Sequence, residues 1–464
     1  MRCTVQNVHA WAARLQMASA LCGAILVVVV GRARSRRRRH QLYSRRVYWY
    51  GRHPRYGWGS VFCMHAEGMA VLERYGWRRA RMEPESQCTV PIFALTNKRG
   101  SNFAAHGANS TDQPHVRQFP QDCTARLDDK LALMRLLTDA NGDARASTRS
   151  FFPATCAADD STAVEKLVCA PRIGGFFVKH RWGAKGQSVR FCADARAVRT
   201  VLGNWTRHAR QDAVVQCAVA PPLLVDGRKF VVRTHVALMA SSCAGTLCDR
   251  GTADFARGGS CRTNGYAVIA LMHVDHMVVA HTRAYGGIHD NTKAAHVSQA
   301  GKACERPSAS TLSDVFSTAG SSGCSATERF VRAQIRRAAA ETVRLGLQNG
   351  LLPAPAQACA CPSNYCGDPG RPVMLQLFGF DFAINSLERV FLLEVNSHPA
   401  IASGSMSHVQ TGRFTALIND LMSAVVLPVL GEGSALTGIS AVAAVRRAVD
   451  RSKGGQFEVL FSDR

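Results

Sequence analysis

Short blocks of alternating and continuous apolar residues run through most of this 464-residue chain, and most of them have strand periodicity. Residues 176–179, 188–192, 213–219, 229–239 and 266–279 read as strands bounded by turn signals. Val225-Asp226-Gly227-Arg228 marks a tight turn before 229–239. Residues 374–382 and 389–395 read as adjacent strands joined near Asn385-Ser386, and 91–95 (PIFAL) as a short buried strand. Helical spacing appears at 69–77 (ending near Gly76), 127–137, 327–345 and 415–430; Phe330, Ile335 and Val343 are expected to face the core. Residues 98–120 and 138–150 read as polar connections, 300–325 as a mobile Ser/Gly-rich insertion, and the tail after Gly431 as weakly specified. Mixed helices and antiparallel hairpins predict an α+β fold rather than a doubly wound sheet.

Charge changes the picture. With 57 Lys+Arg against 33 Asp+Glu, the chain carries +24 and should seek polyanions: nucleic acid, a membrane surface or an acidic protein tail. Ten arginines and no acid lie between Arg32 and Arg55, interleaved with Tyr43, Tyr48, Trp49, Tyr50, Tyr56 and Trp58. Such a tract suits RNA or DNA contact, or the solvated flank of an anchor. Just upstream, residues 17–31 (MASALCGAILVVVVG) are uncharged but short for a spanning helix, which needs about 20 residues. If they insert, the arginine tract and all that follows face the cytoplasm. The 17 cysteines are scattered and odd in number, as in a reducing compartment. Cys359, Cys361 and Cys366 have the nearest spacing to a metal site, and Cys243 and Cys248 would complete it only through tertiary proximity.

Three segments carry candidate chemistry. In residues 377–401 (LFGFDFAINSLERVFLLEVNSHPAI), two apolar strands present Asp381, Glu394 and Asn396. The last two are two residues apart and share a face, and Asp381 can meet them across the hairpin. This is a hard oxygen set suited to Mg²⁺ bridging nucleotide phosphates. In residues 176–189, Lys179 ends a strand before Gly183-Ala184-Lys185-Gly186, a loop whose glycines permit close backbone approach to phosphate. In residues 221–239, Lys229 and Arg233 share one strand face, a cation pair suited to phosphate plus carboxylate.

Together these segments resemble the tubulin–tyrosine ligase-like family, which has an ATP-grasp fold, from about residue 68 to residue 430. ERYGWRRA, LDDKLALMRLL followed by FFPAT, and VVQCAVAPPLLVDGRKFVVR are each similar to family segments; FGFDF and LLEVNSHP are the most specific. The resemblance implies an amino-terminal domain (66–150), a central ATP-grasp domain (151–235) and a carboxy-terminal one (236–430, with insertions near 300–325 and 353–370). Before them stand 1–31 and the basic tract 32–65, and a tail (431–464) follows. It implies that Lys179, Lys229 and the Gly183–Gly186 loop bind ATP, that Lys130 assists, and that Gln216 lies in the adenine hinge. Asp381, Glu394 and Asn396 would hold Mg²⁺, and Arg233 would grip a substrate carboxylate. The sequence departs from the pattern at Val231 (an Asp expected), Cys217 (a Lys) and Val279 (an Arg, with Arg283 the nearest substitute). In His296-Val297-Ser298-Gln299 a Thr and an Asn are replaced.

The implied activity is ATP- and Mg²⁺-dependent ligation of a free amino acid, glutamate first, onto a glutamate carboxylate of tubulin's acidic tail through an acylphosphate. Tyrosine or glycine ligation stays open. Rival readings are a catalytically impaired, ATP-binding microtubule adaptor and, less favoured, a nucleic-acid binder acting through residues 32–55. The implied location is cytoplasmic, at the cytoskeleton or a cilium.

Overall fold

The computed structural model describes residues 127–138, 150–171, 174–182, 188–242, 266–290, 293–297, 310–317, 325–352, 373–397, 399, 408–430, 438–452 and 456–463, with short pieces amino-terminal to these. The apolar segment 17–31, nearly all of the arginine tract, the Gly183–Gly186 loop and all five cysteines of the metal spacing lie outside the described residues.

In chain order the elements are β1 (Phe93–Ala94), β2 (Val116–Gln118), α1 (Lys130–Leu137), β3 (Thr155–Ala157), α2 (Ser161–Cys169), β4 (Phe176–His180), β5 (Val189–Cys192) and α3 (Ala195–Gly203). Next come α4 (Arg207–Gln211), β6 (Ala213–Cys217), β7 (Phe230–Ser242), β8 (Tyr266–His273), β9 (Met277–Ala280), α5 (Lys293–His296), α6 (Leu312–Phe316) and α7 (Ala326–Gln348). The last are β10 (Val373–Ile384), β11 (Val390–Asn396), α8 (His408–Leu421), α9 (Leu427–Leu430), α10 (Gly438–Arg451) and β12 (Phe457–Asp463).

Two sheets organise the molecule. A four-stranded antiparallel sheet runs β3-β6-β4-β5. An eight-stranded sheet runs β12-β8-β7-β10-β2-β1, with β9 added to the start of β7 and β11 to the end of β10. The expectation of an α+β fold built on antiparallel sheets holds for most of this. The exception is one edge, where β10, β2 and β1 pair in parallel.

Strand alternation sets the layers. In β10, Met374, Phe378, Phe380, Phe382 and Ile384 face a core shared with α1 and α7. On the opposite face, Leu375 and Leu377 join a second core under α8 and α10, and the strand then reaches Gly379, Asp381 and Ala383. So one face of the strand is buried along its whole length, polar only at Gln376, while its other face changes from core to cleft. Fully burying side chains such as Phe378, Phe380 and Phe382 stabilises the fold by about 1.5–3 kcal/mol each. The small sheet has its own core, in which Val164, Leu167, Val198 and Leu202 of α2 and α3 meet Val178 and Val215.

Several expectations change. Phe330 is 54% exposed, whereas Ile335 and Val343 are buried. The buried face of α7 is built largely from small residues, including Ala338, Ala339, Thr342 and Gly346, so bulk was a poor guide there. The stretch 266–279 is two strands, β8 and β9. The inserted region 300–325 holds α6, opened by a capping box between Thr311 and Asp314. The tail forms α10 and the sheet strand β12. The turn before β7 is as expected: Asp226 (φ 51°) and Gly227 (φ 68°) both take left-handed backbone, as a two-residue hairpin turn requires. One described stretch, Gly412–Val429, is long and apolar enough to cross a membrane; here Phe414, Leu417, Ile418, Val425 and Val429 pack against the sheet.

Candidate active site

A cleft partly open to solvent lies between the two sheets. The small sheet contributes Phe177, Lys179, Val189 and Cys217; the large sheet contributes Lys229, Val231, Asp381, Glu394 and Asn396. Strand register explains how the acids meet. Arg233 of β7 lies directly opposite Asp381 of β10, and Asp381 lies opposite Glu394 of β11. A register shift after Asp381 pairs Phe382 with Leu392, leaving Leu393 as the extra residue on the cleft side. Asn396 pairs with Gly379. A Cβ on Gly379 would come within 3.0 Å of Pro399 and 3.8 Å of Asn396, so the glycine of FGFDF admits the turn that follows β11.

Side chains bridge these rows. Arg233 donates to both Asp381 oxygens (Nε–Oδ1 2.8 Å, NH2–Oδ2 2.7 Å), and Asn396 Nδ2 donates to Oδ2 at 3.2 Å. Lys130 Nζ sits 3.3 Å from Glu394 Oε2. The resemblance implies a substrate carboxylate for Arg233 and ATP binding for Lys130; here Arg233 pairs with Asp381 and Lys130 with Glu394. Burial, reinforced by the Glu394 charge, raises the Asp381 pKa against the pull of Arg233. Burial also acts to raise Glu394, but Lys130, Lys179 and Arg233 outweigh it and bring the carboxyl down to about 2. Its stabilising contribution is therefore complete above about pH 4.5 and is lost as pH falls towards 2.

Two more lysines face the acids. Lys179 Nζ donates to Gln216 Oε1 at 2.6 Å, and burial depresses its pKa to about 8. Lys229 stands 3.1 Å from His296 Nδ1, 4.2 Å from the Tyr285 ring centroid and 5.5 Å from that of Phe191; burial brings it to about 8 as well. His296 stacks on Phe191 (centroids 3.6 Å apart, 12° between planes), joining β5 of the small sheet to α5. Burial, seconded by the Lys229 charge, lowers His296 to about 4, so it is neutral near pH 7.

Of the residues singled out in the sequence, Lys179, Lys229, Asp381, Glu394 and Asn396 line this cleft, and Lys130, Gln216 and Arg233 bond to Glu394, Lys179 and Asp381 of that lining. Gly183, Ala184, Lys185 and Gly186 lie outside the described residues. Residues not singled out also build it. Asp128 accepts from Ser397 Oγ at 2.8 Å, and Asp129 caps α1 and pairs with Arg181 of the small sheet at 2.6 Å. Three consecutive residues, Asp128, Asp129 and Lys130, thus tie one helix start to three segments around the cleft. An acid just before a helical pattern is an N-cap signal, but its second partner is set by tertiary structure. His281, opposite Lys229, also lines the cleft, whereas Arg283 is exposed and outside its lining.

Two departures from the family pattern prove to be neighbours: Val231 and Val279 are register partners across β7 and β9. The sites where an Asp and an Arg were expected are one apolar cross-strand pair. Val231→Asp should destabilise the protein by about 1–3 kcal/mol, because Val231 is only 8% exposed. Adding Val279→Arg should recover part of that loss. Urea denaturation of the double-mutant cycle measures the coupling, and zero coupling contradicts the register.

Two carboxylates and an amide on one cleft face have the donor chemistry for a hard divalent cation. Among the described residues, no group of three or more His, Cys, Asp and Glu side chains is placed to hold a metal; the set here is two carboxylates plus Asn396. No protein-family model matches the chain, and no curated protein matches it.

Proposed function

We propose that the chain is an ATP-grasp-type ligase of the tubulin–tyrosine ligase-like kind, with a smaller amino-terminal domain carrying Lys130. One observation carries this reading: Lys179 and Lys229 line the cleft that presents Asp381, Glu394 and Asn396, and Lys130, at a helix start, pairs with Glu394. Lys179 and Lys229, whose pKa values burial lowers, suit a polyphosphate, whose charge favours their protonated forms.

In this reading ATP lies between the sheets, with its base towards Cys217 and Val219 and its phosphates towards Lys179 and Lys229. Mg²⁺, when bound by Asp381, Glu394 and Asn396, would supply neutralisation of phosphate charge. Lys130 and Arg233 exchange their carboxylate partners for ligand anions, Lys130 to phosphate and Arg233 to a substrate carboxylate. The acceptor carboxylate takes the γ-phosphoryl group and ADP leaves. The amine of a free amino acid then attacks the acylphosphate and phosphate departs. The protein contributes positioning and charge complementarity. The proposed acceptor is a glutamate of tubulin's acidic tail and the proposed donor is glutamate, in the cytoplasm at microtubules. The surplus of basic charge favours an acidic acceptor.

Incubating the full chain with ATP, Mg²⁺, tubulin and labelled glutamate, glycine or tyrosine tests this. Glutamate should be incorporated in wild type. Retained tubulin binding with no incorporation of any donor supports instead an ATP-binding adaptor, a reading favoured by Val231, Val279 and Cys217.

A further inference from the structure

The lysine at the end of β4 is held by a chain of hydrogen bonds whose direction is fixed from its far end. Thr155 Oγ1 lies 2.7 Å from the carbonyl oxygen of Pro153, which can only accept, so the hydroxyl proton is spent there. Gln216 Nε2 lies 3.1 Å from the same hydroxyl oxygen, which must then accept from it. That fixes the amide: Nε2 points to Thr155, and Oε1 points to Lys179 Nζ at 2.6 Å. Thr155, Gln216 and Lys179 are all buried. β6 pairs with β3 on one side and β4 on the other, with Gln216 opposite Thr155 and Val214 opposite Lys179, so the strand pairing carries the relay across three strands.

We propose that Gln216 is a positioning residue for Lys179, and that Thr155, its hydroxyl oriented by Pro153, anchors the far end of the amide that Lys179 meets. One ammonium N–H is committed to Gln216 Oε1, leaving two for anions in the cleft. Without the Thr155 hydroxyl, Gln216 Nε2 loses its acceptor, and the amide that holds the Lys179 ammonium is anchored at one end only. The relay explains a buried threonine and a buried glutamine that the cleft's own chemistry does not require. For the phosphate it serves, the inference rests on the nucleotide reading above; the relay itself does not.

Two readouts on the full chain separate these layers. The first is acylation of Lys179 by an amine-reactive ester, followed by mass spectrometry. Thr155→Val should speed labelling of Lys179 several-fold, Thr155→Ser should restore the wild-type rate, and Gln216→Glu, with two accepting oxygens, should slow it. The second compares ATP with adenosine in the presence of Mg²⁺. Thr155→Val should weaken ATP roughly tenfold, the scale of one hydrogen bond to a charged group, and leave adenosine unchanged. Unchanged Lys179 labelling in both Thr155→Val and Gln216→Glu overturns the relay, as does equal loss of ATP and adenosine. If wild type binds no ATP while Lys179 labelling follows the expected order, the relay stands and the nucleotide reading falls.

Discussion

Glu394→Gln should reduce amino-acid incorporation by about 10²–10³-fold while leaving the fold intact. Glu394 lies in the middle of β11, on its cleft face, opposite Asp381 and beside Lys130. The glutamine fits the same space but removes a charge from the proposed cation site and the counter-ion of a lysine that is 7% exposed. Losing one preorganised electrostatic contact to phosphoryl charge has an effect of that order. A modest loss of stability, about 1–2 kcal/mol, should accompany it, because Lys130 keeps a hydrogen-bond acceptor but loses its ion pair. Incorporation and thermal melting, measured on the same preparation, check both parts. Near-normal incorporation would remove Glu394 from the chemistry.

Lys229→Met should bind nucleotide far more weakly and yet be more stable than wild type. Lys229 is a burial cost to the folded state: its pKa is depressed to about 8 from 10.5. Below pH 8 both folded and unfolded states carry the proton, so the cost is felt in full. Between about 8 and 10.5 the folded state loses the proton first, and wild-type stability rises relative to the mutant. Allowing for partial exposure, methionine should therefore stabilise by about 1–2 kcal/mol at pH 7, with the gain shrinking as pH rises through that window. Denaturation at pH 7 and at pH 10 tests the sign. A destabilised Lys229→Met would mean that the contacts to His296 and Tyr285 outweigh the desolvation.

Lys179 and Lys229 connect binding to pH. If polyphosphate restores their charge, nucleotide binding between about pH 8 and 9 should take up protons, a quantity obtained by calorimetry in buffers of different ionisation enthalpy. Heat independent of buffer would show that neither lysine changes its protonation on binding.

Much of this was legible in the sequence because the signals were local. Period-two alternation placed Glu394 and Asn396 on one face, and Asp-Gly at 226–227 announced its turn. Other features depended on distant partners. The strand Phe457–Asp463 exists because it pairs with Tyr266–His273, almost two hundred residues away, so its own weak pattern said little. Phe330 drew attention by size, but α7 packs through alanines and β-branched residues that let it approach the sheet closely. The Arg233–Asp381 and Lys130–Glu394 pairs follow from three-strand register and from a helix start more than two hundred residues upstream of Glu394. The pairing of Val231 with Val279 likewise became visible only when β7 and β9 were set side by side.

The central claim is that this cleft binds a nucleotide through a divalent cation held by Asp381, Glu394 and Asn396. Calorimetric titration of the full chain with a non-hydrolysable ATP analogue, with and without Mg²⁺, tests it most directly. Saturable one-to-one binding that requires Mg²⁺ and is lost in Glu394→Gln is the expected result. Binding that is indifferent to Mg²⁺ and to that substitution, or no binding at all, would contradict it.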